Sequence, residues 1–150
     1  VVKIETPSCL SAAVIHPQIE VRTEDARAIL RKEVALKDAI QQWGNTAGLI
    51  AGFLKNDLDL VGRSLNDVII EPIRSLLIPG FDQVKKVALD AGALGCSISG
   101  SGPSIFTLNR DVETATKVAK LMKTEFEQMG ISANAYVSRI NNTGIKVVQK

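Results

Sequence analysis

Gly95-Cys-Ser-Ile-Ser-Gly-Ser-Gly-Pro-Ser-Ile-Phe-Thr-Leu108 is the stretch whose reading decides the fold. Its two ends, 95–98 and 104–108, are short and apolar and predict strands. Between them Ser99, Gly100, Ser101, Gly102 and Pro103 are turn formers. Glycines at 100 and 102 permit backbone conformations and close approaches that a side chain would block. The exposed amides could form an anion-binding nest, with hydroxyls from Ser99, Ser101 and Ser104 beside it. On spacing alone, a tight connection between two strands comes first. The segment is neither GxxxxGK[ST] nor a correctly spaced GxGxxG, so it is not a standard nucleotide loop.

Downstream, Asp111 predicts a helix cap. The helix that follows carries Ala115, Val118, Ala119, Met122, Phe126 and Met129 on one face and ends at Gly130. Residues 133–139 alternate as a strand, and 145–148 predict a last short one. Upstream, 81–91 reads as a helix with Val84, Val87 and Ala88 inward. It follows a Pro79-Gly80 turn. Glu71-Pro72 opens another helix, with proline in the first turn. A short helix is predicted over 58–66.

Leu36, Ala39, Ile40, Trp43, Ala47, Ile50 and Leu54 recur at steps of three and four, predicting a long helix with an inward apolar face. Trp43 is expected in the core. Gly44 and Gly48 lie near that face, where a missing side chain lets another element approach. Residues 10–15 predict the first strand, and 24–30 a helix capped by Thr23. Without the extra helices the order is βαββαβ, an α+β ferredoxin-like sandwich with a mostly antiparallel sheet and helices on one face.

The chain has 150 residues, 45% of them hydrophobic and 23% charged, which suits a single folded domain over 1–150 rather than disorder. A net charge of +2, with its Lys and Arg scattered, gives no nucleic-acid surface. No apolar run is long enough to cross a membrane. Cys9 and Cys96 form neither a disulfide framework nor a metal site and predict two reduced, buried thiols. Together with one histidine, His16, they lack metal-ligand spacing. The chain opens on Val1 with no leader pattern, which predicts a piece cut from a longer protein.

Three segments carry a family resemblance. Ser97-Ile-Ser-Gly-Ser-Gly-Pro-Ser104 resembles the third signature motif of the GHMP kinases, a glycine-rich loop beside the active site in the C-terminal domain. His16-Pro-Gln-Ile-Glu-Val-Arg-Thr-Glu-Asp-Ala-Arg-Ala-Ile-Leu30 and Asp67-Val-Ile-Ile-Glu-Pro-Ile-Arg-Ser-Leu-Leu-Ile-Pro-Gly-Phe81 are similar to two segments of the homoserine kinase branch.

That resemblance implies a set of expectations. The fold is the GHMP kinase C-terminal domain. The parent enzyme transfers the γ-phosphoryl of ATP to the hydroxyl of L-homoserine, giving O-phospho-L-homoserine for threonine synthesis. Arg27 and Arg74 hold the substrate carboxylate, and Ser99, Gly100, Ser101 and Gly102 border the transfer site. No residue here is a catalytic base. ATP and Mg2+ are held mainly by an N-terminal GHMP domain, whose Pro-x-x-x-Gly-Leu-Gly-Ser-Ser-Ala loop this sequence lacks, so the 150 residues alone are expected to be inactive. The enzyme is expected to be cytoplasmic and a homodimer, with no membrane or nucleic-acid partner.

On the residues alone, Arg27 reads as a solvated partner of Glu24 and Arg74 as a partner of Glu71. Arg22 and Arg139 read as surface arginines before phosphate contacts. A GHMP kinase acting on mevalonate or a sugar, or a non-catalytic ferredoxin-like amino-acid-binding module, are the rival readings.

Overall fold

The computed structural model describes residues 2–144 and Val147. Four strands form one sheet: β1 (Ser11–Pro17), β2 (Gly95–Ile98), β3 (Ile105–Asn109) and β4 (Ala133–Arg139). Their order is β2-β3-β1-β4 and every adjacent pair is antiparallel. This is the expected ferredoxin-like arrangement, in which β1 and β2 are split by β3. The strand predicted at 145–148 lies outside the described residues, apart from Val147.

Six α-helices connect the described strands: α1 (Thr23–Ala28), α2 (Leu36–Lys55), α3 (Leu58–Ser64), α4 (Glu71–Arg74), α5 (Phe81–Asp90) and α6 (Val112–Gln128). A 3-10 turn, Ser75–Leu77, extends α4.

Strand alternation divides the sheet into two faces. Ala13, Ile15, Cys96, Ile105 and Ala133 point to one face, where α5 and α6 cover them with Val84, Ala88, Ala115, Val118, Met122 and Phe126. All of these are buried, so the apolar effect of this layer holds the sheet. Asp111 caps α6 by accepting from the Thr114 amide at 2.7 Å, as its position predicts. Gly130 follows with φ +76°, the left-handed stop.

The α2–α3 pair departs from the one-face expectation. Leu65, just after α3, sits where a Cβ on Gly95 would lie, on the side of β2 away from Cys96. The larger correction concerns α2. It packs on α3 with its small and polar side: Gly48 against Ser64, Gly52 against Val61, and Asn45 donating to the Asn66 carbonyl at 2.7 Å. Its apolar stripe faces out, with Leu36 69%, Ile40 56%, Trp43 65% and Leu54 65% exposed. Trp43 is therefore no core residue. The close approach expected at glycine holds for Gly48, whose Cβ would come within 2.4 Å of Ser64 Oγ, and fails for Gly44, which faces open space.

Smaller corrections follow the same local physics. Arg22 occupies the α1 cap position and binds Asp25 through two hydrogen bonds, so Thr23 is the first helical residue. Met129 is 37% exposed, because α6 ends before it. Cys9 lies in an exposed turn ahead of β1, whereas Cys96 is buried as expected.

Candidate acceptor-binding site at the glycine turn

The segment between β2 and β3 closes as a turn: the Gly102 amide donates to the Ser99 carbonyl at 3.1 Å, and the Ser99 amide to the Ser104 carbonyl at 2.8 Å. Gly100 and Gly102 adopt φ values of +62° and +84°, a region that disfavours side chains. At Gly102 a Cβ would also press on Ile78 and Ile98 at 3.3–3.4 Å. The amides of Gly100 and Ser101 meet no backbone carbonyl among the described residues and remain available to an anion. Ser99 and Gly100 are exposed, while Ser101 and Gly102 are half-buried.

Arg74 ties three elements together at this turn. From the end of α4 its Nε donates to the Ala26 carbonyl of α1 at 3.3 Å, and one terminal nitrogen donates to the Gly100 carbonyl at 2.7 Å. A guanidinium carries five N–H donors, so three remain for another acceptor. Arg27 follows Ala26 directly on α1. Its side chain is exposed and makes no hydrogen bond or ion pair among the described residues. Arg74 thus sits beside the glycine turn at one end of the sheet, and Arg27 is next in the chain to the Ala26 carbonyl that it binds. Neither intrahelical pairing with Glu24 or Glu71 forms.

Glu71 instead pairs with Lys85 of α5, and its other oxygen, Oε2, is buried without a partner among the described residues. With Asp67, Ile70, Arg74, Ser97, Ile98 and Gly100 it lines a cavity of about 250 Å³ against the turn. Asp67 holds the lip of this cavity. Its Oδ1 accepts from the Ile69 and Ile70 amides at 2.8 Å each, an Asx-type turn that aims α4. The Asp ahead of an apolar run was a legible signal for that turn.

Two contacts had no sequence signal. The Lys85–Glu71 pair spans 14 positions, and His16 Nδ1 lies 2.9 Å from Ser104 Oγ, a bond that ties β1 to the start of β3. Burial pushes the Cys96 thiol up to about 12, with Lys85 opposing and Glu71 reinforcing the shift. The thiol is thus held neutral and inert beside the cavity. Arg22 and Arg139 are not part of this site. Arg22 pairs with Asp25 on the surface, and Arg139 pairs in register with Ser11, at the far end of β1 from the turn.

Comparison with known proteins places this geometry in a family. Residues 49–128 match the model for the GHMP kinases C terminal. Over 149 residues the chain is 47% identical to a homoserine kinase of Chlorobium phaeobacteroides (strain BS1), covering 98% of the chain and 47% of that protein. A homoserine kinase of Chloroherpeton thalassium is 45% identical over 148 residues, covering 98% of the chain and 46% of that protein. The crystal structure of homoserine kinase from Cytophaga hutchinsonii ATCC 33406 superposes with a TM-score of 0.96 at 57% identity, over 98% of the chain and 47% of that structure. The chain spans about half the length of the relatives it matches. The match over 49–128 and these relatives, each covering 98% of the chain, settle the family: the chain belongs to the GHMP kinase C-terminal family.

Proposed function

We propose that this chain is the acceptor-binding half of a cytoplasmic homoserine kinase, which transfers the γ-phosphoryl of ATP to the hydroxyl of L-homoserine and yields O-phospho-L-homoserine. The names of its relatives support the substrate. One observation carries the role of this half: the Arg74 guanidinium bridges α1 and the glycine turn, with Arg27 adjoining on α1.

The chemistry suits an amino-acid acceptor. Arg74 keeps three unused N–H donors and Arg27 keeps all of its own, and a guanidinium binds carboxylate through paired, charge-assisted hydrogen bonds. Fixing the carboxylate orients the distal hydroxyl. ATP supplies the phosphoryl group and, with Mg2+, is assigned mainly to the N-terminal GHMP domain, in the half of the relatives' length that this chain does not span. The free amides of Gly100 and Ser101 suit anionic oxygens at the border of the transfer site. No side chain of this half is assigned as a base. Phosphoryl transfer runs through a loose transition state in which positioning counts for more than deprotonation.

Arg27→Ala in the full-length enzyme is the clean test, because the Arg27 side chain makes no bond among the described residues. Its homoserine KM is expected to rise at least about tenfold, the equivalent of a charge-assisted contact of roughly 1.5–3 kcal/mol. The ATP KM and the melting temperature should stay put. Arg74→Ala should raise the homoserine KM as well and also loosen the turn, so it loses kcat in addition. An unchanged KM in Arg27→Ala removes that residue from the site, and activity on mevalonate in place of homoserine overturns the substrate.

A further inference from the structure

Glu71 and Arg74 stand three positions apart on α4, the spacing at which a carboxylate and a guanidinium on one helix meet. Both line the cavity against the glycine turn. They do not pair. Glu71 turns to Lys85 of α5, fourteen positions on, while Arg74 donates to the Ala26 and Gly100 carbonyls. That choice runs against proximity in the chain. It also runs against geometry, since the guanidinium fork is the better match for a carboxylate.

Stability gives no reason for the pair. The Glu71 side chain is 9% exposed and that of Lys85 20%. A buried ion pair offsets its desolvation only where the remaining lone pairs and protons are also satisfied. Here Glu71 Oε2 is buried with no partner among the described residues, which costs the fold. Lys85 has a second hold, because its Nζ lies 5.9 Å from the centroid of the Phe81 ring.

The pair changes the charge that the cavity presents. Asp67, Glu71 and Arg74 are the charged side chains in its lining. Asp67 Oδ1 is already bound by the Ile69 and Ile70 amides. With Lys85 on Glu71, the spare donors of Arg74 are uncontested. Released from Lys85, the Glu71 carboxylate would compete for those donors from within the same helix, at an effective concentration that a dissolved ligand rarely matches.

We propose that Lys85 is a positioning residue of the acceptor site: by holding Glu71 it keeps the Arg74 guanidinium open to the carboxylate of the acceptor. Lys85 does not line the cavity and acts through Glu71. This inference rests on the reading of Arg74 as the carboxylate ligand, and its test keeps the two apart.

Steady-state kinetics of the full-length enzyme supply that test. Lys85→Met keeps the chain length and drops the charge. Its homoserine KM is expected to rise at least about tenfold, with the ATP KM unchanged. Adding Glu71→Gln to Lys85→Met removes the competitor and should bring the homoserine KM most of the way back. In an Arg74→Ala background Lys85→Met should raise that KM no further, since no guanidinium is left to occupy, whereas a merely structural effect of Lys85 would persist there. Circular dichroism checks each fold, and Lys85→Gln repeats the comparison if the methionine variant loses it. A homoserine KM indifferent to Lys85→Met, beside one raised by Arg74→Ala, overturns this inference and leaves the reading of Arg74 standing. A double variant no better than Lys85→Met alone also overturns it, since Glu71 is then no competitor. An Arg74→Ala enzyme with an unchanged homoserine KM removes the reading and this inference together.

Discussion

Helices α6 and α2 look alike on paper. Both are long, and both carry apolar residues every three or four positions. In the folded chain α6 turns Ala115, Val118, Ala119, Met122 and Phe126 onto the sheet and buries all five. α2 turns Gly48, Gly52, Gln42 and Asn45 inward and leaves Leu36, Ile40, Trp43 and Leu54 in solvent. Periodicity therefore identifies a helix and its apolar side, but it does not say whether that side is covered by the same chain. What separates the two is the partner surface. The sheet offers α6 a broad apolar face, whereas α3 offers α2 Ser64 and the backbone of Val61, which only glycine can approach.

Four measurements would break or sharpen this contrast. The largest effect is expected inside the α6 layer: Phe126→Ala should cost about 3–5 kcal/mol in urea unfolding, since the ring is buried and the sheet cannot collapse into the gap. Gly52→Ala should cost about 1–3 kcal/mol, because the new methyl would lie 2.9 Å from the Val61 nitrogen. A stabilised Gly52→Ala would mean that α2 and α3 slide freely, contrary to the packing described here.

The third effect depends on pH. Cys96 lies under α5 with its thiol pushed from 9.0 to about 12, chiefly by burial. Above pH 9 the unfolded chain gives up this proton while the folded chain keeps it. Folding stability is thus fully present below pH 9 and falls by on the order of 1 kcal/mol per pH unit as pH rises towards 12. Cys96→Ala should flatten that slope between pH 9 and 10. At pH 8 a thiol reagent should label exposed Cys9 and spare Cys96 until the chain unfolds.

The smallest effect is at Trp43. In protein dilute enough to exclude self-association, Trp43→Ala should change unfolding stability by no more than about 0.5 kcal/mol, as an exposed site does. A loss of several kcal/mol there would show that the tryptophan is covered by its own chain, and the distinction from Phe126 would collapse.

The site was unevenly legible. Glycines between two apolar stretches announced the turn, and Arg74 lay in a segment whose resemblance implied a role beside it. That Arg74 would use two donors on the Ala26 and Gly100 carbonyls could not be read, since those partners are 48 and 26 positions away. Its intrahelical alternative, Glu71, was drawn off by Lys85, another long-range choice. Such contacts depend on which helices the fold brings together, and local spacing carries no record of that.

Strand alternation, the Asp111 cap, the Gly130 stop and the glycine turn are fixed by residues within a few positions of one another. The amino-acid order alone therefore determined the β-strand and helix elements and, through their order, the antiparallel sandwich. The direction in which α2 faces, the exposure of Cys9, and the bridge that Arg74 makes between α1 and the glycine turn were decided only in three dimensions. Each is a competition among surfaces far apart in the chain, settled by which burial the sheet and α3 can accommodate.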